Sequence, residues 1–240
     1  MLLALAGGFL LPSLRAQQPQ QQPPSLPAPG GKKPAPNLPP VRKLRAVDAD
    51  SRTIWINRPG MITLLLGTGE DSQNEARQAG KAVYPVRGRS DFQLVVVVDL
   101  RDSLAGWVST LALEQMRANL DKEAIELKPY YLKNGNKSDP RKTSYVIADF
   151  KGTICPQLGW PEGSDKLRGI LYGADGREIK RWDKIDDMQK LYGDVHSALQ
   201  DLVDANEAKA AAAAKNQGSR VFRPPTPPPP LPASPTPPAK

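Results

Sequence analysis

The rhythm of hydrophobic and polar positions changes several times along the chain, and each rhythm names an element. Phe92 to Asp102 holds the longest β-branched run, and Leu94-Val95-Val96-Val97-Val98 within it shows no polar alternation. A strand apolar on both sides belongs inside a sheet covered on both faces, so this stretch is expected as a central strand with helices above and below. Its exit, Asp99-Leu100-Arg101-Asp102-Ser103, supplies a helix start, Asp102 or Ser103 accepting from the free backbone N–H groups of the first turn. Apolar residues then recur at helical spacing through Leu104, Trp107, Leu111, Met116, Leu120 and Leu127. This predicts an amphipathic helix from Ser103 to about Leu127, stopped by Pro129.

Upstream, Thr53 to Asn57 reads as a short strand, Arg58-Pro59-Gly60 as a turn, and Met61 to Leu66 as a second buried strand ended by Gly67-Thr68-Gly69. Ser72-Gln73-Asn74-Glu75 has capping-box spacing, which predicts a helix from Ser72 to about Val83, before Pro85. Downstream, Asn134 to Pro140 is a polar loop and Ser144 to Asp149 a further strand. Leu167 to Tyr172 and Arg177 to Trp182 flank Gly173-Ala174-Asp175-Gly176, a hairpin signal because Asp-Gly accepts the positive φ of tight turns. Ile185 to about Asp204 closes the pattern as a helix, which the alanine run Ala210 to Ala214 can extend.

Composition limits how much of the 240 residues can build a core. Of the 26 prolines, ten lie in residues 1–40 and ten in residues 224–240, so both ends read as disordered segments around one domain at residues 41–206. The net charge of +8 lies mostly outside that domain, where 25 basic residues face 24 acidic ones. No basic helix face or Arg/Lys cluster with interleaved aromatics appears, and Arg42-Lys43-Leu44-Arg45 is short enough to be an ordinary solvated entry, so the domain is not expected to bind nucleic acid. Residues 1–16, an apolar run followed by Pro12 and a small residue at Ala16, resemble a secretory signal peptide too short to remain as a membrane span. Residues 17–40 then form a Pro/Gln-rich tether, and residues 207–240 an Ala-rich, then Pro-rich, disordered tail. No cysteine lies in residues 1–22 for lipid attachment. The expected product is a soluble bacterial protein, periplasmic or extracellular.

The succession strand, helix, strand, helix, hairpin, helix resembles the thioredoxin-like fold. Tyr145 to Gly152 is similar to the D-x-x-G segment that thioredoxin-like and peroxiredoxin-like proteins carry before the hairpin, and Ile170 to Arg177 is similar to their hairpin itself. The resemblance covers about Thr53 to Asp204. It implies a three-layer α/β sandwich with a mixed sheet, a C-terminal β-hairpin and a closing helix. It also implies where thiol chemistry would sit: C-x-x-C at the start of the first helix, where unpaired N–H groups and the helix dipole lower a thiol pKa. Thr68-Gly69-Glu70-Asp71-Ser72 stands there and holds no cysteine, and Lys166-Leu167-Arg168 stands where the family places a cis-proline.

The remaining chemistry is sparse. Cys155, the only cysteine, has apolar and turn-forming neighbours and reads as buried and inert. His196, the only histidine, reads as a partly buried polar residue on the flank of the last helix. Gly67-Thr68-Gly69 lacks a third glycine and is followed by Glu70 and Asp71, which repel an anion. Asp99 and Asp102 read as helix caps rather than cation ligands. No cofactor is expected. Two functions from different classes follow: an exported, redox-inactive thioredoxin-like binding or scaffold module for an envelope protein or small ligand, and a single-cysteine thiol oxidoreductase or peroxidase using Cys155. The first is the preferred reading. Its recognition surface is expected at Thr68, Gly69, Glu70, Asp71 and Trp160, with Pro161, Glu162 and Gly163 continuing the Trp160 loop.

Overall fold

The computed structural model describes residues 41–101, 106–162 and 165–218. The segments read as signal peptide, tether and proline-rich tail lie outside the described residues, as do Asp102 and Ser103. Two short antiparallel strands, β1 (Arg45–Val47) and β2 (Thr53–Trp55), precede a five-stranded sheet. That sheet is built from β3 (Ile62–Thr68), β4 (Phe92–Asp99), β5 (Tyr145–Asp149), β6 (Arg168–Tyr172) and β7 (Glu178–Trp182) in the order β5-β4-β3-β6-β7. β4 runs parallel to β3 and β5, whereas β6 runs antiparallel to both β3 and β7. The helices are α1 (Gln73–Ala82), α2 (Gly106–Lys133) and α3 (Met188–Gly218).

The Leu94–Val98 run is interior, as its pattern requires, but the middle strand is β3, in which all seven residues are buried. Successive residues of β3 and β4 feed two different cores. Leu64, Leu66 and Leu94 meet Ala79, Val83 and Leu191 from α1 and α3 and the turn between them and the sheet, whereas Leu65, Val95 and Val97 meet Ile54, Leu158 and Trp160. The second face is therefore covered by the β1–β2 hairpin and the segment from Ile154 to Trp160, not by the helices expected there. Connectivity explains the difference: β3-α1-β4 and β4-α2-β5 step in the same direction across the sheet, and right-handed crossovers then place both helices on one face.

One helix cap and two helix ends depart from the pattern. α1 starts at Gln73, but Ser72 makes no capping bond into the helix. Its hydroxyl instead accepts from the Gly69 N–H at 3.1 Å and pairs with the Thr68 hydroxyl at 3.0 Å. α2 passes through Pro129 and ends at Lys133. A proline inside a helix costs about 3 kcal/mol, and tertiary contacts beyond it hold the last turn: Tyr131 is buried, Asn134 donates to the carbonyls of Pro85 and Arg87, and Asn136 donates to that of Gly88. α3 continues past Asn206, so residues 207–218, expected as the start of a disordered tail, are helical. Residues 207–214 bury nothing, and the helix persists there because alanine has the highest helix propensity.

At Gly88 the backbone adopts φ +88°, and an added Cβ would lie 2.8 Å from the Tyr131 Cα. Gly88→Ala is therefore expected to lower stability by roughly 1–3 kcal/mol, measurable as a reduced urea midpoint. An unchanged midpoint would show that the end of α2 is not held by this contact.

The hairpin turn is fixed by charge. Buried Asp48 accepts from the backbone N–H groups of Asp50 and Arg52 and from the Arg52 side chain, while Arg141 forms a two-bond pair with Asp50. The Ala49 N–H donates to the Val146 carbonyl, so the hairpin turn also lies against the edge strand β5. Among the described residues no helix is long and apolar enough to cross a membrane.

Candidate functional site

The carboxyl end of β3 passes through Gly69-Glu70-Asp71 into α1, and two hollows flank this turn. The smaller is a crevice of about 10 Å³ between Gly67, Thr68, Cys155, Trp160 and Arg168, room for about one water. It is narrow because the Trp160 ring lies flush on β3: a Cβ built on Gly67 would fall 2.4 Å from the ring. Arg168 is opposite Gly67 in the β3–β6 ladder.

Cys155 lies beneath this turn and is 1% exposed. The neighbouring Asp149, at the end of β5, is the organising group: its carboxylate accepts from the backbone N–H groups of Thr153 (2.7 Å), Ile154 (2.9 Å) and Cys155 (2.8 Å). Burial pushes the Asp149 carboxyl up, but these bonds outweigh it and hold the group below the ordinary carboxylate range. The Cys155 thiol is driven far above its ordinary value, first by burial, then by the Asp99 and Asp149 carboxylates and a hydrogen bond to Asp149, against a smaller opposing effect of Arg101. Thiolate is the nucleophilic form, so this environment opposes reactivity.

Asp99 is engaged by its neighbour two residues on. It takes two bonds from the Arg101 guanidinium, at 2.8 and 2.6 Å, and the same guanidinium donates to the Pro161 carbonyl at 3.1 Å. The pair thereby fixes the loop that carries Trp160. Thr68, Gly69, Cys155 and Trp160 are thus brought together, whereas Glu70 and Asp71 are exposed at the head of α1. His196 is exposed rather than partly buried; it stacks on Tyr192 with centroids 5.8 Å apart, on α3 and so on the other side of the sheet from Cys155. Among the described residues no group of three or more His, Cys, Asp or Glu side chains is placed to hold a metal ion.

The larger hollow, about 470 Å³, opens on the helix face where α1 and α2 part over β4. Thr68 and Glu70 reach its rim, so one turn borders both spaces. Sequence periodicity did not reveal this cleft. Its only sequence signal is the pair Ala76 and Gly80, two small residues four apart on the inner face of α1.

The strand order β5-β4-β3-β6-β7, the antiparallel β6–β7 hairpin and the closing α3 match the mixed sheet, C-terminal hairpin and closing helix expected from the sequence. Comparison with solved structures finds similarity to a thiol:disulfide interchange protein of the thioredoxin family from Chlorobium tepidum, at 10% identity over 67% of this chain and 95% of that one, with a TM-score of 0.43. StoA of Bacillus subtilis is similar at 14% identity over 63% of this chain and 95% of that one, with a TM-score of 0.42. A secreted disulfide oxidoreductase of Mycobacterium tuberculosis is similar at 13% identity over 64% and 95%, with a TM-score of 0.39. No family model matches the chain, and no curated protein matches it at a significant level.

Proposed function

We propose that this chain is an exported, thioredoxin-like binding protein that performs no thiol–disulfide exchange. The observation that carries the reading is the turn between β3 and α1. Disulfide exchange on this fold needs a thiol at that helix start, where backbone N–H groups and the dipole stabilise a thiolate. Here Thr68 and Ser72 bond to each other, and Ser72 also closes the turn onto Gly69. The one thiol of the chain is elsewhere, covered, and held protonated beside Asp149. Binding would use the same end of the domain: Glu70 and Asp71 as exposed carboxylates, Thr68 and Gly69 as backbone, and Trp160 as the apolar wall. The partner class is an envelope protein or a small ligand. Export rests on the apolar run before Ala16 and the following Pro/Gln-rich tether.

Insulin reduction and peroxide consumption, measured on the purified protein beside Cys155→Ser, test the chemistry. Neither reaction is expected to exceed its blank, and the two proteins are expected to behave alike. Turnover that disappears in Cys155→Ser would replace the binding reading with a single-cysteine thiol enzyme. N-terminal sequencing of protein recovered from the cell envelope is expected to start at Gln17; an intact Met1 terminus in the cytosolic fraction would remove the export reading.

A further inference from the structure

The cleft between α1 and α2 has the size of a small-molecule site, about 470 Å³ against a usual range of roughly 300–1,000 Å³. Its floor is Leu94, Val96 and Val98 of β4, and Met116 and Leu120 of α2 form one wall. The space exists for two reasons. α1 turns Ala76 and Gly80 toward it, and a Cβ built on Gly80 meets no atom within 4 Å. Along the described side chains of α2, only Leu120, Leu127 and Tyr131 are buried, so residues 109–119 place no buried side chain over β4.

The charges on the rim are unequally engaged. At one end Glu126 accepts from the Tyr84 hydroxyl at 3.3 Å and pairs with Lys81 at 3.0 Å, and Glu123 pairs with Arg87 at 3.2 Å. These bonds tie α2 to α1 and to the turn after it. Arg77, one turn before Lys81, and Lys122 on α2 are both exposed on the rim and form no ion pair among the described residues. The rim carboxylate left over is Glu70, about two turns away from Arg77 along the chain.

We propose that this cleft binds a single-chain amphiphile with an anionic head, a fatty-acid-like carboxylate, its chain lying over Leu94, Val96 and Val98 and its head between Arg77 and Lys122. The proposal deepens the binding reading above and rests on it, but its test uses no thiol chemistry. Failure of one therefore does not resemble failure of the other. Apolar lining with a few placed polar groups suits such a ligand, and Arg77 and Lys122, which hold no ion pair among the described residues, are the rim cations an anionic head can reach, Arg77 sharing the field of Glu126.

The experiment titrates the full chain calorimetrically with dodecanoate, and with dodecanol as its uncharged counterpart. One dodecanoate is expected per chain. Gly80→Met places a side chain in the open space; it is expected to weaken dodecanoate at least tenfold while Tm stays level or rises, because glycine is the poorer helix former. Arg77→Gln with Lys122→Gln is expected to weaken dodecanoate by about tenfold and to leave dodecanol unchanged. No binding by the unaltered chain, or equal binding by Gly80→Met, would overturn the site. A sharp fall in Tm for Gly80→Met would overturn it as well, by showing the cleft to be filled by the protein itself. Dodecanol binding as tight as dodecanoate, insensitive to the Arg77 and Lys122 changes, would overturn the anionic head.

Discussion

Asp149→Ala is expected to destabilise the domain by roughly 3–5 kcal/mol, since each buried N–H left without an acceptor costs about 1–3 kcal/mol and three lose theirs at once. Asp149→Asn rescues little, because an amide offers one accepting oxygen in place of two and turns donors toward donors. The same carboxylate sets an acid limit. Its pKa is lowered in the folded state, so its contribution is present above the unfolded value and is lost as pH falls through the folded one, a window below about pH 4. Urea unfolding at pH 7 and pH 3 measures both effects. The difference between the native protein and Asp149→Ala should shrink at the lower pH; a difference under about 1 kcal/mol at pH 7 would mean that the Gly152–Trp160 segment is held by its apolar contacts alone.

Gly67→Ala is expected to drive Trp160 out of the crevice. The two cannot share the space, with the new Cβ 2.4 Å from the ring, and β3 cannot yield because it is paired on both sides. Displacing a 6% exposed tryptophan uncovers Cys155 and costs roughly 1–3 kcal/mol in strain and lost packing. A red-shifted tryptophan emission and faster thiol labelling by an aromatic disulfide report the two consequences. Slow labelling with unshifted emission would show that Trp160 does not guard the thiol. If labelling accelerates but insulin is still not reduced, the burial of Cys155 and the absence of a partner thiol are separated as causes.

The elements were largely legible, because they depend on local rhythm. The unbroken Leu94–Val98 run required a strand buried on both sides, the Asp175-Gly176 turn required a hairpin, and the apolar spacing before Asp204 required a closing helix. Errors fell where local preference met a distant partner. Ser72 and Glu75 have the spacing of a capping box, yet the Ser72 hydroxyl is taken by Thr68 and Gly69, which sequence spacing does not weigh. Pro129 is a stop by itself, but Asn134 and Asn136 anchor the chain beyond it to carbonyls some fifty positions upstream.

The site divides in the same way. The missing thiols at Thr68–Ser72 and the loneliness of Cys155 are facts of composition, readable without coordinates, and they alone argue against disulfide exchange. That Asp149 gathers three N–H groups under the Cys155 turn depends on the path of the backbone between them, and the pattern Asp149 to Gly152 only hints at it. The cleft was not legible beyond one pair of small residues. Ala76 and Gly80 show that α1 has a thin side, but whether a helix closes over that side depends on how far α2 stands from the sheet. That distance is set by Arg117 reaching Ala49, by Glu126 reaching Lys81 and by Arg141 bridging Asp121 of α2 to Asp50, contacts that span dozens of residues. Local periodicity determines which faces are apolar, whereas long-range pairing decides which of those faces are covered.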